Sequence, residues 1–331
     1  MEDNTINEQL HFENRLDMSH LKEKTKAIKD EIARVIVGQE KLIDLLLVSL
    51  LANGHTLLEG VPGVAKTITA KLLSKCIHTD FSRIQFTPDL MPSDILGTLV
   101  FDVKKSDFEY RKGPIYANVV LIDEINRAPA KTQAALFEVM EERQITMDGV
   151  THPMELPFLV VATQNPIEQE GTYRLPEAQL DRFLLKIQID YPSRDEEVKI
   201  ITRENNLLTG NKIDDISAVV TGQEIMEFQA LVRQVKVDVQ MISYIAGIVV
   251  NTRENPMLYL GASPRASIAL LNASKAHAAI RGRDFVTPED IKDVSHAVLC
   301  HRLVVAPEKE MEGITASLIV KQIIESVEIP R

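Results

Sequence analysis

Residues Gly60-Val61-Pro62-Gly63-Val64-Ala65-Lys66-Thr67 form a glycine-rich turn that ends in Lys-Thr. Such a turn lets backbone N–H groups converge on phosphate oxygens, and the positive end of a following helix adds to that field. Lys66 is placed to reach the β- and γ-phosphates, and the Thr67 hydroxyl to ligate Mg²⁺. One position departs from G-x-x-x-x-G-K-[ST]: Ala65 stands where the pattern has glycine.

A phosphate cradle of this kind needs an acidic partner at the end of a buried strand. Val119-Val120-Leu121-Ile122-Asp123-Glu124 supplies one. Four apolar residues put Asp123 at the carboxyl edge of a sheet, where it can hold Mg²⁺, and the adjacent Glu124 can polarise a water. Cleaving a phosphoanhydride also needs a polar group to place that water and a cation to meet the charge spreading over the γ-phosphate. Asn165 ends the apolar run Leu159 to Ala162 and could lie between the strands carrying Lys66 and Asp123. Arg182 precedes the last strand-like run, and Arg265 follows Ser263-Pro264 at a helix start. Taken singly these last three read as a turn, a surface pair and a solvated helix start.

The elements that must position these groups are legible as alternation. Strand-like runs at 55–59, 82–86, 119–123, 158–163 and 184–189 are interleaved with helix-like runs at 65–76 and 131–142, which predicts a parallel sheet covered by helices. Leu21, Ile28, Ile32 and Val35 share one face of an earlier helix, so the fold is expected to begin near residue 18, after a polar, flexible stretch of 1–17. Two hairpins interrupt the α/β half: Thr98–Phe101 with Phe108–Arg111, and Ile145–Met147 with Val150–His152. Beyond Tyr191-Pro192-Ser193 helical patterns dominate, at 195–206, 223–234, 238–253, 264–280, 288–301 and 313–326. The expectation is an α/β nucleotide-binding core at 18–192 followed by an all-α domain at 193–331. Thr287-Pro288-Glu289-Asp290 marks one helix start with a capping residue and a first-position proline.

Composition bounds the rest. The 331 residues suffice for two domains, and 37 basic against 48 acidic residues give a net charge of −11, which argues against broad contact with nucleic acid. Two cysteines make no disulfide framework, the polar start lacks a signal peptide's apolar core, and the apolar run 45–52 is too short to cross a bilayer, so a cytoplasmic protein without a membrane span is expected. His296, Cys300 and His301 cluster near one helix end but lack a fourth ligand, and they read as packing and surface residues rather than a zinc site.

The order of these segments resembles the AAA+ ATPases, and the wording of several resembles the MoxR family. The resemblance rests on Asp123-Glu124-Ile125-Asn126-Arg127-Ala128-Pro129, Lys131-Thr132-Gln133, Met140-Glu141-Glu142-Arg143-Gln144, Ala162-Thr163-Gln164-Asn165-Pro166 and Leu175-Pro176-Glu177-Ala178-Gln179-Leu180-Asp181-Arg182-Phe183. It spans nearly the whole chain. In that family the loop form with Ala65 is familiar, whereas Arg174 stands where proline is usual.

The resemblance implies a P-loop core with sheet order 5-1-4-3-2, two hairpin inserts and a helical lid. It also implies ATP and Mg²⁺ at the Gly60–Thr67 cradle and Asp123, with Val37, Gly38 and Gln39 lining the adenine pocket. Glu124 would be the catalytic base and Asn165 the sensor 1 residue. Arg182 would be an arginine finger acting on a neighbouring subunit, and Arg265 the sensor 2 residue, acting within or across subunits. The protein would be a homo-oligomer, most simply a hexameric ring, that hydrolyses ATP to remodel or mature a client protein, with a von Willebrand factor A domain protein as partner. The alternatives are a nucleic-acid motor of helicase type, a chelatase-type motor subunit and a nucleotide-binding scaffold without turnover.

Overall fold

The computed structural model describes residues 15–61, 63–165, 173, 175–205, 213 and 215–329. The expectations for Pro62, for Arg174 and for all but the last residues of the 1–17 stretch lie outside the described residues. In chain order the strands are β1 (Thr56–Gly60), β2 (Phe81–Gln85), β3 (Gly97–Asp102), β4 (Asp107–Lys112), β5 (Val119–Asp123), β6 (Gln144–Met147), β7 (Val150–Pro153), β8 (Leu159–Gln164), β9 (Leu185–Ile189), β10 (Leu258–Leu260) and β11 (Val304–Val305). The helices are α1 (Ser19–Ala33), α2 (Glu40–Leu51), α3 (Lys66–Cys76), α4 (Pro92–Leu96), α5 (Ala130–Glu142), α6 (Glu177–Leu180), α7 (Arg194–Asn205), α8 (Gly222–Arg233), α9 (Val239–Glu254), α10 (Pro264–Ile280), α11 (Pro288–Leu299), α12 (Pro307–Met311) and α13 (Ala316–Ser326).

Five strands form one parallel sheet in the order β2-β5-β8-β1-β9. Counted over the sheet alone this is 2-3-4-1-5, the order the resemblance implies read from the other side. Period-two alternation divides the central strands between two cores. Val119 and Leu121 of β5 and Leu159 and Val161 of β8 join one apolar cluster, whereas Val120, Ile122, Val160 and Ala162 join the other. The first cluster continues without a break through α1 and α2 into the lid helices, so core and lid share an interior.

Both expected hairpins form: β3 pairs with β4 and β6 with β7, each antiparallel. They touch one another where Tyr110 stacks on His152, ring centroids 4.5 Å apart. At the far end of the first, Phe101 and Phe108 make an edge-to-face pair at 5.2 Å while both stay exposed.

Three features were not anticipated. The apolar run at 45–52 belongs to α2, which is buried nearly all round and so lacks the one-sided stripe that reveals a surface helix. The short helices α4 and α12 each begin on a first-position proline, Pro92 and Pro307. In the lid β10 and β11 pair as a small antiparallel ribbon. Among the described residues no helix is long and apolar enough to cross a membrane.

Candidate functional site

The phosphate loop follows the carboxyl end of β1 and opens α3. Gly60 is required there by packing, since a Cβ at this position would sit 2.7 Å from the Ile189 carbonyl oxygen. Gly63 is required by conformation, with φ of +87°, and a Cβ built on it meets nothing within 4 Å. Its backbone therefore faces open space. Ala65 adopts φ 62° and ψ 18° as the N-cap of α3. The residue that replaces glycine thus keeps the left-handed backbone that glycine adopts freely, at a cost of about 1 kcal/mol.

Lys66 folds back onto its own loop, its Nζ donating to the Gly60 carbonyl at 2.6 Å. Burial lowers its pKa, and the nearby Asp123, Glu124 and Glu59 carboxylates act in the opposite direction. A half-buried ammonium that bonds one carbonyl and has carboxylates nearby fits a polyphosphate with its metal ion. Thr67, next in α3, and Asp123, at the end of β5, carry the oxygen groups that would suit Mg²⁺.

Asp123 ends β5 almost wholly buried, and two groups fix its carboxylate: Arg83 Nε donates to Oδ2 at 2.6 Å and Thr163 Oγ1 donates to Oδ1 at 3.2 Å. Glu124 leaves the strand in the left-handed region, φ 57°. Its backbone N–H donates to the same Thr163 hydroxyl at 3.0 Å, so one side chain registers both acids. The Glu124 carboxylate accepts from Gln85 Nε2 at 2.8 Å and pairs with Arg127 at 3.0 Å. Asn165, buried, lies directly after β8, and β8 runs between β1 and β5. The cradle, the two acids and Asn165 therefore share the carboxyl edge of the sheet.

Val37 to Gln39 form the turn before α2, with Gly38 at φ +71° and Gln39 at φ 60°. A Cβ on Gly38 would lie 2.3 Å from Glu196 Oε1, so the loop is pressed against the first turn of α7. Gln39 also donates to the Asp190 carbonyl at 3.4 Å.

The arginines lie elsewhere. In the register of β1 with β9, Thr56 faces Leu185 and Gly60 faces Ile189. Arg182 precedes Leu185, so it sits at the amino edge, the full length of β1, about 13 Å or more, from the cradle that follows Gly60. Arg265, in the first turn of α10, sits beside it. Both guanidiniums bond the Glu141 carboxylate, Arg182 at Oε2 and Arg265 at Oε1, and Arg182 also donates to the Phe137 carbonyl at 3.1 Å. With Arg143 and Arg302 they line a cavity of about 270 Å³.

Side chains in these arrangements that were not singled out from the sequence include Thr163, Arg83, Glu141 and Arg302. Thr163 and Glu141 stand inside the motifs quoted above, adjacent to or near assigned residues; Arg302 and Arg83 carry no comparable signal. The His296, Cys300 and His301 cluster disperses, since His296 bonds the Ser317 hydroxyl at 2.7 Å whereas His301 bonds the Phe183 carbonyl at 3.0 Å. Burial pushes the Cys300 thiol up to about 12, and the Cys76 thiol likewise to about 12.

A family model for ATPases associated with various cellular activities matches residues 55–185, and one for the AAA lid domain matches residues 250–323. The chain is 47% identical to Bacillus subtilis YeaC, an uncharacterised protein, over 91% of this chain and 93% of that one. It is 43% identical to Chaperone MoxR1 of Mycobacterium tuberculosis, over 91% of this chain and 81% of the relative. A crystal structure from Cytophaga hutchinsonii, described as a candidate ATPase, superposes with a TM-score of 0.87 at 42% identity, over 95% of this chain and 97% of that one. With identity sustained across core and lid together, the chain belongs to the MoxR family of AAA+ ATPases.

Proposed function

We propose that this protein hydrolyses ATP as a ring-forming subunit and uses the cycle for chaperone-like remodelling of client proteins. One observation carries the reading: the phosphate loop with Asp123, Glu124 and Asn165 occupies one edge of the sheet, and Arg182 and Arg265 occupy the other. A rigid parallel sheet does not bring those edges together, so each subunit holds two half-sites that face different neighbours. A hexameric ring closes such a head-to-tail arrangement.

In this reading Lys66 and the loop amides bind the polyphosphate, and Val37 to Gln39 bound the adenine. Thr67 and Asp123 would hold Mg²⁺, which would supply neutralisation of charge on the phosphate oxygens. Glu124 orients and deprotonates the attacking water, and Asn165 steadies it from the central strand. Arg182 and Arg265 meet the charge on a neighbour's γ-phosphate. Arg265 acts across the interface because it shares Glu141 with Arg182, on the edge remote from its own cradle.

The client role has support of a different kind. The Mycobacterium tuberculosis relative is named a chaperone, and the first hairpin exposes Phe101 and Phe108, apolar surface of the sort that engages polypeptide. A von Willebrand factor A domain partner follows from family resemblance. The nucleic-acid motor reading needs a basic track, against which stands the net charge of −11.

Arg182→Ala protein tests the core of this reading: it should assemble and bind ATP yet lose turnover, and normal hydrolysis by an Arg182→Ala homo-oligomer sinks it. Pull-down with Glu124→Gln protein under ATP reads out clients. Strong stimulation of turnover by single- or double-stranded DNA would instead favour the motor.

A further inference from the structure

Glu141 is out of place by the rules of its own helix. It lies in the last turn of α5, where the helix dipole disfavours a carboxylate, and that turn carries no basic residue of its own. Its partners come from far along the chain: Arg182 from the segment before β9, and Arg265 from the lid. Each arginine takes a different oxygen of the one carboxylate.

The carboxylate end of α5 is itself fixed. His55, at the foot of β1, bonds the Met140 carbonyl at 3.0 Å through Nε2, and its Nδ1 accepts from Val160 of β8 at 3.0 Å. Arg143, one residue beyond α5, clamps the Asn53 carbonyl at 2.5 Å. Glu141 is therefore a stationary anchor between two side chains contributed by two parts of the molecule.

We propose that Glu141 is a positioning residue: it holds Arg182 and Arg265 side by side as one unit that a neighbouring subunit's γ-phosphate can engage. The inference rests on the trans reading given above. Two guanidiniums repel one another, and without a shared anion between them they would separate. With Glu141 they stay paired in a cavity of about 270 Å³, of a size that admits a phosphate group.

Mixed rings test this on the donor side alone. Glu124→Gln subunits cannot hydrolyse their own ATP but keep their arginines, and Arg182→Ala subunits keep their own cradle. Hydrolysis in the mixture arises where the second faces the first. Donors that carry both Glu124→Gln and Glu141→Ala should lower kcat of the mixture by about tenfold or more with KM for ATP unchanged. Glu141→Asp donors should recover part of the loss. Glu142→Ala donors, which lose the same charge one residue along, should match the parent mixture. Thermal melts of each variant check that it folds.

If the parent mixture is active and Glu141→Ala donors support full turnover, or raise KM instead of lowering kcat, Glu141 has no such role. If the parent mixture is inactive, the trans assignment of Arg182 fails, and Glu141 with it.

Discussion

Arg302, in the lid, donates from Nε to Asp181 Oδ1 at 2.6 Å, so the residue immediately before Arg182 is gripped by the other half of the molecule. The same guanidinium donates to the Phe183 carbonyl at 2.7 Å and to the Leu184 carbonyl at 3.2 Å. Ser263, two residues before Arg265, reaches Asp181 Oδ2 at 3.0 Å. The lid therefore holds both flanks of Arg182 and also carries Arg265. On the proposed reading, any rotation of the lid would carry Arg182 with it.

The first expectation concerns that grip. The Arg302 side chain is only 3% exposed, and removing one member of a buried pair strands the other. Arg302→Met should lower unfolding free energy by about 3 kcal/mol, measured by urea denaturation. A loss below about 0.5 kcal/mol, the scale of ordinary surface substitutions, would show that the grip is not structural.

Thr163 is expected to matter to chemistry rather than to nucleotide binding. Its hydroxyl accepts from the Glu124 amide and donates to Asp123, so Thr163→Val leaves an amide unsatisfied and frees a carboxylate. A cost of about 1–3 kcal/mol to the aligned state corresponds to a fall in kcat of roughly fivefold to a hundredfold. ATP affinity by calorimetry should change little, and Thr163→Ser should restore turnover. Equal loss in the serine variant would refute the hydroxyl's role.

Ala65→Gly should relieve the left-handed backbone at φ 62°. Glycine adopts this conformation without a Cβ penalty but gains freedom in the unfolded chain, so the net gain is about 0.5 kcal/mol. Ala65→Val, β-branched, should destabilise by more than 1 kcal/mol on the order-of-magnitude scale for such strain. Denaturant midpoints with unchanged slopes decide it, and a valine variant as stable as the parent would be the contrary result.

Acid should weaken the fold from mild pH. Burial, reinforced by the Arg143 charge, pushes His55 from its ordinary 6.5 down to about 3, and burial likewise holds His301 well below its ordinary value. Both are neutral in the native state. As pH falls through 6.5 the unfolded chain takes up protons that the native chain refuses, so stability drops by about 1.4 kcal/mol per pH unit for each histidine. For His55 the loss ends near pH 3. His55→Gln should be less stable at pH 7.5 but show a visibly shallower decline to pH 5.5 in thermal melts. An unchanged slope would mean that His55 is charged in the fold.

How much of this was legible in the sequence follows from where the partners lie. β5 was readable because four apolar residues in a row followed by Asp-Glu need no distant information. The loop at Gly60 to Thr67 was readable because glycine and Lys-Thr announce a backbone conformation and a charge. Helix α2 was not, because burial on every side erases periodicity. Glu141 and Arg265 are 124 positions apart, and Arg302 and Asp181 are 121 apart. An ordinary acid at a helix end and an ordinary arginine after one become a joint only when the lid folds back on the core.

The division of the sheet into two edges has a last consequence. A subunit that keeps its binding loop on one side and its arginines on the other is, on the proposed reading, inert when alone: folded, loaded with nucleotide and unable to turn it over. Dilution then acts as an off switch, and specific activity should climb steeply with protein concentration. By the same logic one faulty copy silences its own site or its neighbour's according to which edge is damaged, so a minority of defective subunits would disable most of the assemblies they enter.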